Sequence, residues 1–118
     1  MGNRKKLGNQ GELLAITYLE QEGYQLIEKN YRIGRGEIDI IAFRKDLLVF
    51  AEVKTSSHQF RRFMVEDRVS WYQRQKIKET AYRYLDERGW TGTVRFDVLM
   101  VYLGRGVVQH FKAYFGQL

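Results

Sequence analysis

The chain has 118 residues, no cysteine and two histidines. This composition excludes disulfide bonds and thiolate metal sites and disfavours a histidine-rich zinc site. A bound metal would therefore be held by carboxylates, which favour Mg²⁺ or Mn²⁺. The 20 lysines and arginines outnumber the 14 aspartates and glutamates, for a net charge of +6. Because a basic domain attracts polyanions, this charge favours nucleic acid as a partner.

Length and composition predict one domain over residues 1–118, with 44% apolar residues, close to the usual content of a soluble domain. The N-terminal residues 1–7 are polar and basic, and they do not resemble a signal peptide. No run approaches the ~20 apolar residues that a membrane-spanning helix needs. We therefore expect a cytoplasmic protein without a membrane partner.

Hydrophobic periodicity divides the chain into helices and strands that are separated by glycine-containing turns. The predicted elements, in chain order, are a helix over 7–22, strands over 24–32, 37–43 and 47–55, a helix over 68–88, and strands over 93–103 and 107–115. Gly23 is predicted to end the first helix. Residues 47–51 lack polar alternation, which predicts a central strand buried on both faces.

The second helix determines the topology. Its inward stripe is predicted to comprise Val69, Tyr72, Lys76, Ile77, Thr80, Ala81, Tyr84 and Leu85. Because this helix is long enough for a crossover, the fourth strand is expected to run parallel to the third. The order αβββαββ predicts an α/β domain with a mixed β-sheet flanked by helices.

Two charged residues follow the apolar run of the third strand. Glu52 and Lys54 share one face with Leu48 and Phe50, because side chains alternate along a strand. Charges at the end of a central strand are costly unless they are paired or used. This position makes Glu52 and Lys54 candidate site residues.

The second strand carries another carboxylate. Asp39 is predicted to face away from Ile38 and Ile40, and hairpin pairing would bring it near Glu52. Two such carboxylates can hold a divalent cation that polarises a phosphate oxygen, while Lys54 stabilises the developing charge or orients water. The alternative is a cross-strand salt bridge of Lys54 with Asp39 or Glu52.

A third carboxylate lies on the first helix. Glu12 is part of a small-residue stripe with Gly8, Gly11 and Ala15, and the glycines allow a close approach to a neighbouring element. Because a buried glutamate without a partner is rare, Glu12 is a candidate ligand. The alternatives are a glutamate that reaches solvent from the edge of the stripe and one that caps a nearby amide.

Several sequence blocks together resemble one nuclease superfamily. The blocks, in order, are Gly8-x-x-Gly11-Glu12, Gly36-Glu37-Ile38-Asp39, Glu52-Val53-Lys54, Ala81 with Leu85, and Arg95-Phe96-Asp97. They cover nearly the whole chain and resemble the YraN family of bacterial proteins, which is itself similar to archaeal Holliday junction resolvases of the PD-(D/E)XK nuclease superfamily.

This resemblance implies a restriction-endonuclease-like fold and a metal-dependent endonuclease or resolvase-like phosphodiesterase that acts on DNA. It implies that Asp39 and Glu52 bind Mg²⁺ or Mn²⁺, that Glu12 assists, and that Lys54 is the catalytic lysine. Because resolvase-like enzymes that cut two strands often need a dimer, a homodimer is one of the expected states. The alternative function is a non-catalytic module that binds nucleic acid, and a third is a protein whose basic face binds an acidic protein.

The sequence departs from the family pattern in two places. Thr55-Ser56 stands where many relatives have a basic residue, and Gln73 stands where they tend to have lysine. The motif carboxylates are intact, so these departures concern substrate contacts more than metal binding.

Nucleic-acid contacts are predicted mainly in residues 59–63, which interleave Arg61 and Arg62 with aromatic residues. Arginine can grip phosphate while aromatic rings, including those of the nearby Trp71-Tyr72, stack on unpaired bases. Arg35 and Lys76 are further candidates. The alternatives are aromatic residues that fill the core and basic residues on a solvated face.

Asp97, its neighbour Arg95 and His110 are assigned structural roles. Asp97 is expected to form a salt bridge with Arg95 rather than to bind a metal. His110 is expected to be a surface or strand residue.

Overall fold

The computed structural model describes residues 2–56 and 69–118, with side chains from residue 8 onward. Its elements, in chain order, are α1 (Gly2–Gln21), β1 (Gln25–Ile33), β2 (Gly36–Arg44), β3 (Leu47–Ser56), α2 (Trp71–Arg88), β4 (Thr93–Tyr102) and β5 (Val107–Gln117). The strands form one mixed sheet in the order β1-β2-β3-β4-β5. Only β3 and β4 are parallel among the described neighbours. The predicted α/β class, element order and parallel fourth strand are therefore confirmed.

The two helices cover opposite faces of the sheet. Ala15 and Leu19 of α1 pack in a cluster with Val49 of β3. On the other face, Ile77 of α2 packs in a cluster with Phe50 of β3. The central, doubly buried position predicted for β3 is confirmed. Within residues 2–56 and 69–118, no helix combines the length and apolar character that crossing a bilayer requires.

Glycine ends both helices. Gly23 has a φ of 89° after α1, as predicted, and Gly89 has a φ of 62° after α2. L-residues with side chains rarely adopt this left-handed region, so glycine stops each helix at little conformational cost. The Gly89 N–H donates to the Asp86 carbonyl oxygen, which satisfies a backbone acceptor in the last turn of α2.

The inward stripe predicted for α2 is wrong at two positions. Tyr72 is 66% exposed, and the Lys76 side chain is 41% exposed. The stripe that meets the sheet passes instead from Gln73 to Ile77, four residues later, and continues along the helix with its 3.6-residue period. Tyr72 and Lys76 lie one residue earlier, about 100° around the helix axis, so they face away from the core.

Gly11 marks a close approach between α1 and β3. A Cβ atom at Gly11 would overlap the hydroxyl group of Thr55. We expect Gly11→Ala to lower the free energy of unfolding by about 1–3 kcal/mol, because overpacking forces the helix or the Thr55 side chain to move. Urea denaturation monitored by circular dichroism measures this change.

Gly8→Ala is the matched control on the same helix. A Cβ atom there would meet nothing within 4 Å. Because alanine is the better helix former, this change should raise stability by about 0.5–1 kcal/mol. Equal effects of the two substitutions would show that Gly11 is not a packing contact.

Candidate metal and phosphate site

β2 and β3 separate at the point where the candidate carboxylates lie. Their ladder ends with Ile40 opposite Ala51. Beyond this pair, the Asp39 carboxylate accepts the backbone N–H of Val53 at 2.8 Å, so a side-chain oxygen satisfies a donor on β3. The side-chain alternation of β2 also shifts here. Ile38 packs on the α2 side and Ile40 on the α1 side, so the prediction that they share one face is wrong.

Glu52 presents a carboxyl group that is almost buried, with 8% of the residue exposed. It lies on the α2 side of β3 with Lys54, whose Nζ is 3.8 Å from Glu52 Oε1. The shared face predicted for these two residues is therefore confirmed. Burial, followed by the charge of Asp39 and a hydrogen bond with it, raises the pKa of Glu52 to about 9. Lys54 opposes this rise in pKa but does not offset it.

Gln73, in the first turn of α2, connects the two charged residues of β3. Its amide nitrogen donates to Glu52 Oε1 at 3.4 Å, and its amide oxygen accepts from Lys54 Nζ at 3.4 Å. The Ser70 hydroxyl accepts the Gln73 N–H at 3.1 Å and caps the helix. The sequence prediction treated Gln73 only as a departure from the family pattern. Its position four residues before the buried Ile77 was the signal that it faces the sheet.

Glu12 approaches the same region from the α1 side. Burial and the Asp39 charge raise the pKa of Glu12, although a hydrogen bond with Asn30 acts in the opposite direction. Asn30 has a φ of 53°, in a region that asparagine tolerates well, and lies between Lys29 and Tyr31, which pair with the residues on either side of Asp39. Glu12, Asn30 and Lys29 line a depression of about 290 Å³. Asp39 therefore interacts electrostatically with both Glu12 and Glu52.

The donor set fits a hard divalent cation. Proteins usually bind Mg²⁺ through one or two carboxylates and leave the other positions to water and phosphate oxygens. Asp39 and Glu52 supply such a pair, and Glu12 adds negative charge beside it. In the part of the chain that the structure describes, no three acidic or histidine side chains are grouped closely enough to hold a metal by themselves. A site here would therefore have two principal carboxylate ligands.

The predicted nucleic-acid residues have different locations. Arg35 is exposed in the turn between β1 and β2. Lys76 lies on α2, where its Nζ is 3.8 Å from Glu79. Arg61 and Arg62 lie outside the described residues, so their predicted role stays a prediction.

A second polar cluster lies on the α1 face of the sheet. Asp97 is fully buried and accepts hydrogen bonds from Arg95 at 2.8 Å and from the Ala113 N–H at 2.9 Å. His110 Nε2 is 2.6 Å from Asp97 Oδ2, and His110 Nδ1 is 3.0 Å from the Tyr18 hydroxyl. The predicted Arg95–Asp97 salt bridge is confirmed. His110 was expected to be a surface or strand residue, and it lies on strand β5, although these partners hold its side chain away from the surface at 3% exposure.

The motif residues lie in a region of the chain that matches a known protein family. Residues 11–101 match the model of "Uncharacterised protein family UPF0102". The chain belongs to the UPF0102 (YraN) family. The family predicted from the sequence blocks is therefore confirmed, and the matched span contains Glu12, Asp39, Glu52 and Lys54.

Individual UPF0102 proteins are similar over most of the chain. A UPF0102 protein of Cytophaga hutchinsonii is 45% identical over 94 residues, which are 80% of this chain and 82% of the relative. One from Alkaliphilus metalliredigens is 40% identical over 108 residues, which are 91% of this chain and 94% of the relative. One from Moorella thermoacetica is 40% identical over 103 residues, which are 86% of this chain and 85% of the relative.

Proposed function

We propose that the protein is a divalent-metal-dependent phosphodiesterase that cleaves DNA, of the endonuclease or Holliday-junction-resolvase type. The observation that carries this proposal is the pairing of Asp39 with Glu52, beside Lys54, at the point where β2 and β3 separate. This arrangement places two carboxylates that can bind a divalent cation next to an ammonium group that can contact phosphate.

Each residue has a distinct role in the proposed site. Asp39 and Glu52 would hold Mg²⁺ or Mn²⁺, and Glu12 would support them from α1. When bound, the cation supplies Lewis acidity toward a phosphate oxygen. The Lys54 ammonium group stabilises negative charge that develops on the phosphate, or orients the attacking water. Gln73 contacts both Lys54 and Glu52 and limits how far either side chain can move.

The charges of the site favour this role over a simple salt bridge. Lys54 is the one ammonium group within 4.0 Å of Glu52 among the described ion pairs, whereas Asp39 adds a second carboxylate next to it. The charge of Asp39 helps to keep Glu52 protonated by raising its pKa, and a divalent cation would allow both carboxyl groups to be ionised side by side. A module that only binds nucleic acid gains nothing from the pair, because carboxylates repel phosphate when no cation lies between them.

Asp39→Asn separates the metal site from the structural alternative. The change keeps the shape and a weak oxygen ligand but removes one negative charge. We expect the variant to bind DNA in EDTA at least as well as the wild type, because repulsion of phosphate is reduced, and to lose metal-dependent cleavage. In wild type, metal at about 100 times its Kd should add about 2.7 kcal/mol of stability, and this gain should vanish in the variant. Calorimetry with and without Mn²⁺ measures the gain.

Glu37→Gln provides the control on the same strand. Glu37 is 3.6 Å from Arg32 in a solvent-exposed pair, and its charge acts on Glu12 and Glu52 less than that of Asp39, so the change should reduce cleavage and the Mn²⁺ effect far less than Asp39→Asn does. The metal proposal is wrong if Mn²⁺ does not stabilise the wild type while Asp39→Asn strongly destabilises the metal-free protein. That combination is expected when Asp39 only partners polar groups within the fold.

A further inference from the structure

Trp71 and Tyr72 are unusually exposed at the start of α2. Trp71 is 73% exposed and Tyr72 is 66% exposed. Burying an aromatic side chain is a large source of stability, so two adjacent rings left in solvent represent apolar area that folding does not use. Adjacent exposed rings of this kind are typical of a binding surface.

The rings precede, on the same helix, a residue that contacts the candidate site. The next residue along α2 is Gln73, which contacts both Lys54 and Glu52. Cα–Cβ bonds in a helix tilt toward its N-terminus, so Trp71 and Tyr72 lean toward the end of α2 where those contacts occur. Trp71 and Tyr72 therefore share the first turn of α2 with Gln73, the residue that contacts the candidate site.

Positive charge accompanies the rings. Lys76 Nζ lies 5.8 Å from the centroid of the Tyr72 ring, and its pair with Glu79 at 3.8 Å is solvent-exposed and therefore weak enough for phosphate to compete with it. Arg74 is directed elsewhere, since its guanidinium group lies over the Tyr114 ring and donates to the Tyr114 hydroxyl. The exposed combination is thus two aromatic rings with a lysine, which suits a phosphate-linked chain of flat groups.

We propose that Trp71 and Tyr72 stack on unpaired nucleobases, so that the site acts on nucleic acid with a single-stranded segment. This inference rests on the proposed phosphodiesterase function and specifies its substrate class. Duplex DNA presents base edges in its grooves and keeps base faces stacked on one another, whereas an unpaired base offers a free face to a ring. The two rings leave the helix about 100° apart, so each keeps its own face free for a base.

Trp71 fluorescence provides a direct readout of stacking. The chain has two tryptophans, and the second, Trp90, packs edge-to-face on Phe43 with centroids 5.7 Å apart. In a Trp90→Phe variant, which keeps a ring at that contact, emission reports Trp71 alone. In EDTA, so that no cleavage occurs, a short oligothymidylate should quench this emission, and a blunt duplex of the same length should quench it much less.

Binding measurements on three variants complete the test. Trp71→Ala and Tyr72→Ala should each weaken oligothymidylate binding by about tenfold and change duplex binding by less than about twofold. Tyr82→Ala is the control, because Tyr82 is 47% exposed on the same helix but lies about 15 Å further along its axis. Its affinity for both probes should match that of the wild type.

The outcomes separate this inference from the proposed function. Quenching and variant effects without metal-dependent cleavage would support the stacking surface and contradict the phosphodiesterase. Cleavage of duplex DNA that is unchanged in Trp71→Ala and Tyr72→Ala would do the reverse. Equal losses on both probes, no losses, or a wild-type dimer that Trp71→Ala dissociates in sedimentation would overturn the inference.

Discussion

Lys54→Ala should lower metal-dependent DNA cleavage by about 10²-fold or more while the protein stays folded. Lys54 Nζ lies next to Glu52 and Gln73, where a phosphate bound at the carboxylate pair would develop negative charge. Losing one electrostatic contact of this kind typically costs two to three orders of magnitude in rate. Single-turnover cleavage of a labelled oligonucleotide in Mg²⁺ measures the effect.

The control for this change is Lys112→Ala. Lys112 is an exposed residue of β5, and its removal lowers the net charge by the same amount. Comparable cleavage by Lys54→Ala and the wild type would refute the catalytic assignment. Equal losses in Lys54→Ala and Lys112→Ala would instead show that net charge, not position, explains the effect.

Asp97→Asn should produce the largest loss of stability among these changes, about 3 kcal/mol. The substitution leaves the guanidinium group of Arg95, which is 11% exposed, without its charged partner. Breaking a buried ion pair by removing one partner typically costs about 3–5 kcal/mol. The lower end of this range applies because Arg95 keeps a second partner, the Tyr24 hydroxyl, to which it donates at 2.7 Å. Guanidinium chloride denaturation at neutral pH measures the difference.

The same carboxylate should make stability depend on pH. Burial alone would raise the pKa of Asp97, but hydrogen bonds from His110, Arg95 and the Ala113 N–H outweigh burial and lower the pKa below its usual 3.8. A folded pKa below the unfolded value means that ionised Asp97 adds stability above about pH 4, which is lost as the pH falls through the folded pKa. The wild type should therefore lose stability in acid more steeply than Asp97→Asn.

Glu28→Gln provides the reference for both measurements. Glu28 forms an exposed pair with Arg88 at 3.9 Å, and pairs of this kind contribute about 0–1 kcal/mol. A stability loss in Asp97→Asn no larger than that in Glu28→Gln would show that the buried cluster does not hold the fold together.

The fold was predictable because its signals are local. The unbroken apolar run from Leu47 to Ala51 indicated a central strand, and the glycines that follow both helices indicated their ends. The stripe of α2 was misplaced because Tyr72 and Lys76 have the same spacing as residues on the buried face. Only contact with the sheet distinguishes the two faces, and a single sequence does not record that contact.

The site was predicted in part. Alternation placed Glu52 and Lys54 on one face, and the motif blocks pointed to Asp39 and Glu12. The shift in β2 was not predictable, because it arises where pairing with β3 ends and the Asp39 carboxylate takes over a backbone hydrogen bond. The partners of His110 were missed for a similar reason, since Asp97 and Tyr18 are brought to it by tertiary packing across three elements.

The parallel pairing of β3 with β4 has a consequence for how the chain folds. β1, β2 and β3 are joined by short turns, as are β4 and β5, so each group closes small loops. The β3–β4 pair joins these groups, and Leu47 meets Thr93 only after the intervening chain has closed a far longer loop. We expect this step to limit the folding rate, as non-local pairing does in other α/β domains. Substitutions at the β3–β4 contact should then slow folding, whereas those confined to the β1–β2 turn should mainly speed unfolding.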